Sequence, residues 1–332
     1  MPVRTAAAIV LLAAAAPALA ANPRTFVASY GNDANPCQLT SPCRTFAAAL
    51  TATTAGGEII VLDSAGYGAV SVTKAVSIIS PPGVHAGIAV TSGSGIDVGA
   101  GSGDVVLRGL AITGVGGSSV GINVTSAGSV NIDRCSVTGM GSHGLQFQPP
   151  SALVVSDSVF RHNSGNGIAQ LNGNAVYLRV RSEQNVGAGL SASGQVTEAY
   201  DSVFAQNASG GVIGSQAVTL ASTQVLGNGL DGVSVTPFGP LAIVASVVEG
   251  NANRGVIVSG GQTTLSRTAI VRNGFEGVNA SGGGTSIVFD GVTVAHNGTG
   301  AITVSAGVSA LTRQNNSVAG TVSGSLTPSP LL

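Results

Sequence analysis

The sequence predicts an all-β fold in which the chain winds as a single-stranded parallel β-helix, a solenoid with about 22 residues per coil. The first observation behind this prediction is a glycine followed by an aliphatic residue, which recurs every 21 to 23 residues. These glycines are Gly121, Gly144, Gly167, Gly189, Gly211, Gly232, Gly255, Gly277 and Gly300. A period of this length is typical of stacked repeats that bury their apolar sides against their neighbours.

Asparagine is the second repeating feature, and it lies three or four residues before the repeat glycine. The series is Asn163, Asn185, Asn207, Asn228, Asn251, Asn273 and Asn297. Asparagine and glycine both tolerate left-handed backbone, so the pair predicts one bend per coil. If the coils stack in register, we expect the asparagine side chains to form a structural ladder with a spacing of about 4.8 Å.

The segments between the bends have the composition of β-strands. They are short, rich in β-branched residues and separated by Gly, Asn, Ser and Pro. The residues eight and three positions before each ladder asparagine are mostly apolar, as Val155 and Phe160 are before Asn163. Because these positions are an odd number of residues apart, one unbroken strand cannot point both inward. A corner must separate them, so each coil has at least three strand segments.

The N-x(2–3)-G-[IVL] units from about Gly121 to Ala301 resemble those of right-handed parallel β-helix proteins of the pectin-lyase-like superfamily. The N-terminal segments 26–37 (FVASYGNDANPC) and 42–46 (PCRTF) are similar to the start of exported bacterial proteins that carry such repeats. The resemblance implies a right-handed β-helix over nearly all of the mature chain. It implies no single activity, because the superfamily includes lyases, hydrolases, epimerases and members without known chemistry.

Residues 1–20 have the pattern of a cleavable secretory signal peptide. Arg4 supplies the charged start, an apolar run follows, and Ala18-Leu-Ala20 gives the small-x-small cleavage site. The apolar run is short for a membrane span, and no second run follows it. We therefore expect a mature protein that begins at Ala21 and is secreted or periplasmic.

The mature chain divides into three predicted parts. Residues 21–57 form an N-terminal disulfide loop and a capping helix that begins at Thr45 and stops at Gly56-Gly57. Cys37 and Cys43 pair there in an oxidising compartment, with two separate thiols as the alternative. Residues 58–322 form the β-helix, whose first strand begins at Glu58, and residues 323–332 form a loose C-terminal tail.

The composition excludes several classes of function. The net charge is −1 and charged residues make up 8% of the chain, so electrostatic attraction to nucleic acid is not expected. Trp is also absent. The cysteines and histidines lack the spacing of a zinc site, and Cys135 is expected to be a small buried hydrophobe. We expect no cofactor, no nucleic-acid partner, no membrane span and a monomer.

Charges of alternating sign recur at fixed positions relative to the ladder. Asp157, Arg179 and Asp201 lie six residues before successive ladder asparagines, and Asp231, Arg254 and Glu276 each precede a repeat glycine. Since adjacent coils are about 4.8 Å apart, each arginine is expected to lie between two carboxylates in an ion ladder. Arg161 is expected to face Glu183 in the same way.

A polysaccharide lyase of this fold would need carboxylates that hold calcium and a basic residue that removes a proton. A hydrolase would need two or three carboxylates. The best catalytic candidates are Asp157, Arg179, Arg181 and Asp201, with Tyr200 beside them, and the ion ladder is the competing interpretation. Asp97, Asp104 and Asp133 form a second, acidic set that is a candidate for metal binding. The histidines, such as His162 and His296, are too far apart to act together and are expected to be solvated.

Two hypotheses about function remain. The favoured one is a secreted, non-catalytic surface or matrix β-helix that binds a polysaccharide, a cell-surface glycan or a protein. The alternative is a polysaccharide-modifying enzyme, similar to calcium-dependent uronate lyases, that acts on an outer face of the β-helix. Calcium is implied only by this alternative.

Overall fold

Three parallel sheets run side by side along the whole solenoid. The structure is a computed structural model that describes residues 22–117, 119–237 and 239–329. The chain makes about 12 turns of roughly 23 residues and contains one short helix, so the predicted all-β parallel solenoid is confirmed. The expected signal peptide, residues 1–20, lies outside the described residues. Within those residues no helix has the length and apolar character needed to cross a membrane.

Each turn passes through sheet 1, sheet 2 and sheet 3 in that order, and every strand pairs with the equivalent strand of the next turn. Sheet 1 consists of β1 Asn22–Val27, β2 Thr53–Val61, β5 Val76–Ile79, β8 Asp104–Arg108, β11 Ser129–Asp133, β14 Ala152–Ser156, β17 Asn174–Leu178, β20 Val196–Tyr200, β23 Ala217–Ala221, β26 Leu241–Val244, β29 Gln262–Ser266, β32 Ser286–Asp290, β35 Ser309–Thr312 and β38 Thr327–Pro328. Sheet 2 consists of β3 Ala65–Gly66, β6 Ala86–Val90, β9 Leu110–Gly114, β12 Ser136–Thr138, β15 Val159–Arg161, β18 Arg181–Glu183, β21 Val203–Ala205, β24 Gln224–Leu226, β27 Val247–Glu249, β30 Ala269–Val271, β33 Thr293–Ala295 and β36 Ser317–Ala319. Sheet 3 consists of β4 Val70–Val72, β7 Ile96–Gly99, β10 Ile122–Ser126, β13 Leu145–Phe147, β16 Ile168–Gln170, β19 Leu190–Ala192, β22 Val212–Gly214, β25 Val233–Val235, β28 Val256–Ser259, β31 Glu276–Ser281, β34 Gly300–Val304 and β37 Val322–Ser323.

The core is a set of side-chain columns that run along the solenoid axis. Val155 in sheet 1 and Phe160 in sheet 2 are both fully buried, and their counterparts in the following turns are buried as well. These are the two apolar columns expected from the sequence, and a corner separates them. Ser182 occupies the second column, where its hydroxyl donates to the carbonyl oxygen of Gly189 at 2.7 Å. That hydrogen bond offsets the cost of burying the hydroxyl.

The corner between sheets 2 and 3 places left-handed backbone at the residue before the ladder asparagine, not at the asparagine itself. His162 has φ 53°, and Gln184, one turn later, has φ 57°. The expectation that Asn supplies the left-handed position is therefore wrong. The asparagines instead turn inward, and Asn163 and Asn185 are almost completely buried.

Each buried amide of the ladder is satisfied by hydrogen bonds to its neighbours. The Oδ1 atom of Asn207 accepts from the backbone N–H of Asn185 at 3.1 Å and from its Nδ2 at 2.9 Å. The Nδ2 atom of Asn207 donates to the carbonyl oxygen of Ser182 at 3.1 Å and to Oδ1 of Asn228 at 3.0 Å. The same pattern continues to Asn297. Both donors and both acceptor sites of each interior amide are thus used, which makes full burial of a polar side chain tolerable.

The repeat glycines from Gly121 to Gly277 are required by close packing. None of them has the left-handed backbone that their place at a bend suggested. A Cβ atom on Gly211 would lie 2.3 Å from Cγ1 of Val225 and 2.8 Å from Nδ2 of Asn228. A Cβ atom on Gly189 would lie 2.7 Å from Nδ2 of Asn207. The glycines leave room for the asparagine ladder, which explains why the two features recur together.

A second hydrogen-bonded column lies at the start of sheet 2, five residues before the ladder. Its hydroxyls are Ser158, Ser202, Thr223, Ser246 and Thr268. Ser202 accepts from the backbone N–H of Val180 at 3.1 Å and donates to the carbonyl oxygen of Tyr200 at 2.8 Å. This column is not evident from the sequence, because valine interrupts it, as at Val180 and Val292.

The N-terminal cap covers the first turn. The helix α1, Phe46–Ala52, begins at the N-cap Thr45 and buries Phe46 and Leu50. The Oδ1 atom of Asp33 accepts from the backbone N–H groups of Arg44 and Thr45 at 2.8 and 2.9 Å. Cys37 and Cys43 form the expected disulfide in the loop before α1. The N-terminal segments 26–37 and 42–46, which resemble the start of exported bacterial repeat proteins, are therefore part of a structural cap.

Three predicted boundaries differ from the structure. The stack opens with β1 and not at Glu58, because β1 pairs with β2 and covers its edge. The helix ends at Ala52 and not at Gly56-Gly57, because Thr53 is extended and continues into β2. Residues 323–332 are not entirely a loose tail, since β38 pairs with β35 and continues sheet 1 to Pro328. Pairing satisfies the backbone groups of an otherwise open sheet edge.

We predict that Asn207→Ala lowers the free energy of unfolding by about 3 kcal/mol, because two buried donors of Asn185 lose their acceptor and each such loss costs roughly 1–3 kcal/mol. Asn174→Ala is the matched control, since this asparagine is exposed at the start of β17. Its effect should stay within about 0.5 kcal/mol. Urea denaturation followed by circular dichroism measures both. Equal losses for the two variants would refute the role assigned to the ladder.

Candidate functional site

A cleft lies between the capping helix and the first turns of sheet 3. It has a volume of about 420 Å³. Leu50 and Thr51 of α1 form one wall, and Ser71, Lys74 and Asp97 lie on the opposite side. The cleft exists because α1 packs across the first turn instead of continuing the winding of the chain.

Lys74 brings a positive charge to this cleft. Its side chain is partly buried, and its Nζ atom donates a hydrogen bond to the carbonyl oxygen of Thr53. No carboxylate of the described residues lies within ion-pair distance of it. An ammonium group has three N–H donors, so two remain available for a ligand.

A row of polar side chains leads away from the cleft along the outer face of sheet 3. We call it the amide row: Ser71, Asp97, Asn123 and Gln146, which occupy paired positions on β4, β7, β10 and β13. Asn123 donates from Nδ2 to Oδ1 of Asp97 at 2.9 Å, and Gln148 donates to Oδ1 of Asn123 at 3.1 Å. These bonds hold the side chains in fixed orientations while their outer sides remain accessible. The row thus offers donors and acceptors at the spacing of adjacent strands, about 4.8 Å.

Three of the four catalytic candidates lie elsewhere, at the corner between sheets 1 and 2. Asp157, Arg179 and Asp201 occupy equivalent left-handed positions with φ of 49°, 53° and 50°. Nε and Nη2 of Arg179 donate to the two carboxylate oxygens of Asp157 at 2.6 and 2.7 Å. The Arg179 guanidinium lowers the pKa of the Asp157 carboxyl, and Asp157 raises the pKa of Arg179. The paired carboxylate is therefore a poor general base at neutral pH.

The expected ladder is only half formed at this corner. Arg179 uses its guanidinium on Asp157 alone, and no ion pair reaches Asp201 within the described residues. Arg181 lies on the outer face of sheet 2, where it pairs with Glu183 at 2.7 Å. Arg161 is paired with Glu183 across β15 and β18, but among the described residues the Glu183 carboxylate forms its ion pair with Arg181, on the same strand and face. The four candidates are thus divided between a corner pair, a strand pair and an isolated carboxylate.

The other predicted ion ladder joins three turns. Arg254 lies 3.9 Å from a carboxylate oxygen of Asp231 and 3.3 Å from one of Glu276. These side chains lie at the corner before sheet 3 and are partly exposed. Each such pair contributes about 1 kcal/mol or less to stability. Their arrangement penalises a shift of register more than it adds stability.

The structure separates the three candidate metal ligands. Asp97 lies on sheet 3, whereas Asp104 and Asp133 lie on sheet 1. Asp133 accepts from Arg108 at 2.9 Å and from Arg134 at 3.2 Å. In the described part of the chain, no three His, Cys, Asp or Glu side chains come together as a metal site would require. The hypothesis of one shared acidic site is therefore corrected.

The histidines are not all solvated as expected. His162 and His296 are exposed, each at the left-handed residue before a ladder asparagine. His143 is partly buried, and its Nδ1 atom accepts from the backbone N–H of Asn166 at 3.0 Å. Burial lowers the pKa of His143 because it disfavours the charged form.

Cys135 is a buried free thiol. Its Sγ atom lies 3.5 Å from the carbonyl oxygen of Leu107. Burial raises the pKa of the Cys135 thiol to about 12. The thiolate is therefore scarce at neutral pH, which agrees with a packing role and not with a nucleophile.

A family model described as the right handed beta helix region matches residues 60–207. The chain folds as a parallel β-helix. The match agrees with the right-handed β-helix fold that the asparagine–glycine units predicted. A search of curated proteins finds no match.

Solved structures similar to this β-helix protein include three alginate-epimerase structures. The A-module of mannuronan C-5 epimerase AlgE4 from Azotobacter vinelandii has a TM-score of 0.58 and 15% identity, over 82% of this chain and 89% of that one. A mutant of the periplasmic alginate epimerase AlgG has a TM-score of 0.54 and 12% identity, over 82% and 77%. The AlgE6 A-module from the same Azotobacter species has a TM-score of 0.50 and 17% identity, over 83% and 92%. At these identities the likeness shows the fold alone.

Neither the cleft nor the amide row was predicted from the sequence. Asp97 was singled out, but as a possible metal ligand, and Lys74 was not. The one available signal was that Lys74 is the single lysine in the sequence. Its placement beside Thr51 depends on how α1 packs, which no repeat of the β-helix protein encodes.

We predict that the stability of the protein falls as the pH is lowered from about 7 to about 5, because the unfolded chain protonates His143 near its ordinary pKa of about 6.5 and the folded chain does so only at lower pH. His143→Gln should reduce this pH dependence. Urea midpoints across the range measure it, with values at pH 8, where the histidine is neutral in both states, as the reference. An unchanged slope in the variant would contradict the assignment.

We also predict that the Cys135 thiol of the native protein resists 5,5′-dithiobis(2-nitrobenzoic acid). In denaturant without reductant, one thiol per chain should react, because the other two cysteines are paired. Absorbance of the released thiolate measures both states. Rapid reaction of the folded protein would show that the thiol is accessible.

Proposed function

We propose that this protein is an exported, monomeric and non-catalytic β-helix that binds an extended polysaccharide along the outer face of sheet 3. The amide row is the single observation that carries the proposal. It places carboxylate, amide and hydroxyl groups side by side on four successive strands. Such groups hydrogen-bond sugar hydroxyls as both donors and acceptors.

A regularly spaced row suits a polymer whose hydroxyls recur at similar intervals. Asn123 and Asp97 are held by their own hydrogen bond, so little side-chain freedom is lost when a ligand binds. Gln146 extends the row by one strand and is only partly exposed.

The charges outside the row support binding more than catalysis. Asp157, Glu183 and Glu249 are each engaged by an arginine, and such pairing withdraws them from proton transfer. The enzymatic alternative, a calcium-dependent uronate lyase-like activity, is favoured by the names of the structural neighbours, which are polysaccharide-modifying enzymes. That alternative is a separate outcome of the test below.

We predict that the protein binds at least one polysaccharide among alginate, pectate and neutral plant or bacterial glycans in affinity electrophoresis and titration calorimetry. The double variant Asn123→Ala/Gln146→Ala should weaken binding by about tenfold or more, the equivalent of about 1.4 kcal/mol, because direct hydrogen bonds are lost. Asn279→Ala is the matched control, since this asparagine lies on the outer face of sheet 3 far along the solenoid.

Three outcomes would overturn the proposal. The first is an equal loss of affinity in Asn279→Ala, and the second is no binding to any polymer. The third is the appearance of unsaturated products from uronate polymers, with or without calcium. If Arg179→Ala or Arg181→Ala abolished that activity, the enzymatic alternative would replace the proposal.

A further inference from the structure

We propose that the cleft under the capping helix binds an anionic substituent of a saccharide, a carboxylate or a sulfate, with Lys74 as its ion-pair partner. This inference rests on the proposed function and adds an end point to it. The amide row reaches the cleft through Ser71 and Asp97, which belong to both. A saccharide chain lying along the row would therefore end, or carry a side group, at Lys74.

The charge of Lys74 sets it apart from the arginines that take part in ion pairs. Arg179, Arg181 and Arg272, for example, each contact a carboxylate. Lys74 has no such partner among the described residues, and its contact with the carbonyl oxygen of Thr53 holds the ammonium group in place. A positioned cation that makes no ion pair favours an anionic group beside it.

Asp97 makes the ligand a saccharide and not a simple anion. Its carboxylate lines the same cleft as Lys74 and would repel a free phosphate or sulfate ion. Its Oδ1 atom is fixed by Asn123, and a carboxylate oriented in this way accepts hydrogen bonds from sugar hydroxyls. A molecule with hydroxyls at Asp97 and an anionic group at Lys74 satisfies both.

The remaining walls fit the body of a sugar ring. Leu50 and Val70 are almost fully buried and line the cleft together with Thr51 and Ser94. Apolar walls with a few polar groups are the usual arrangement of small-ligand sites. The volume of about 420 Å³ lies within the range of roughly 300–1,000 Å³ for such sites.

The single lysine allows a direct test. Reductive methylation with ¹³C-formaldehyde labels only Lys74 and the α-amino terminus, and it preserves the positive charge. We expect alginate or pectate oligosaccharides, sulfated oligosaccharides, or both, to shift the Lys74 methyl signal, with neutral oligosaccharides leaving it unchanged. Comparison of the carboxylated and the sulfated ligands identifies the anionic group.

Binding measurements on variants complete the test. Lys74→Gln should weaken binding of the acidic oligosaccharide by about tenfold and leave neutral glycans unaffected, and Lys74→Arg should retain most of the affinity. Arg161→Gln is the control, because it removes one exposed positive charge on sheet 2. Added salt should weaken binding to the native protein more than to Lys74→Gln.

The outcomes separate this inference from the proposed function. If Asn123→Ala/Gln146→Ala loses binding and Lys74→Gln does not, the cleft assignment fails and the amide row stands. If only Lys74→Gln loses binding of acidic saccharides, the cleft stands and the row fails. Equal shifts of the Lys74 signal by neutral and acidic ligands, or no binding to any saccharide, overturn the inference.

Discussion

The structure depends on the register between successive turns, and the buried asparagine ladder enforces that register. An interior asparagine such as Asn207 makes hydrogen bonds to both the preceding and the following turn. A shift of one residue between two turns would leave the buried asparagine amides of both turns without hydrogen-bond partners, at a cost of several kcal/mol for each turn affected. The backbone ladders of the three sheets would also re-form with the wrong side chains inside. Polar groups thus specify the stacking, and the apolar columns supply its burial.

The same register determines what the outer faces can do. Because equivalent residues of successive turns lie side by side, any outward position becomes a line along the solenoid. Where the line contains Asp97, Asn123 and Gln146, it offers a continuous polar surface to an extended ligand. Where it contains Asp231, Arg254 and Glu276, the charges satisfy one another. A line of outward side chains can therefore bind a ligand only where those side chains do not form ion pairs with one another.

The features that repeat without interruption were predicted from the sequence, whereas the interrupted hydroxyl column and the cleft were not. The coil length, the asparagine series and the two inward columns follow from periodicity, and periodicity is a property of the sequence. The physical role of glycine did not follow, because a bend and a close approach both favour that residue. Only the distance from the Cβ position of Gly211 to Nδ2 of Asn228 distinguishes them. The cleft at Lys74 was not predicted from the sequence either, because it depends on the packing of one helix against two early turns.

The N-terminal cap links stability to the proposed binding site. A solenoid is held by contacts between neighbouring turns, so its terminal turns are the first to open. Here α1 covers the first turn with Phe46 and Leu50, and the same helix forms a wall of the cleft. A ligand between Lys74 and Thr51 would contact the cap and sheet 3 together, and it would favour the closed terminal turn by mass action. The part of the solenoid that is easiest to open is therefore the part that a bound saccharide would stabilise most.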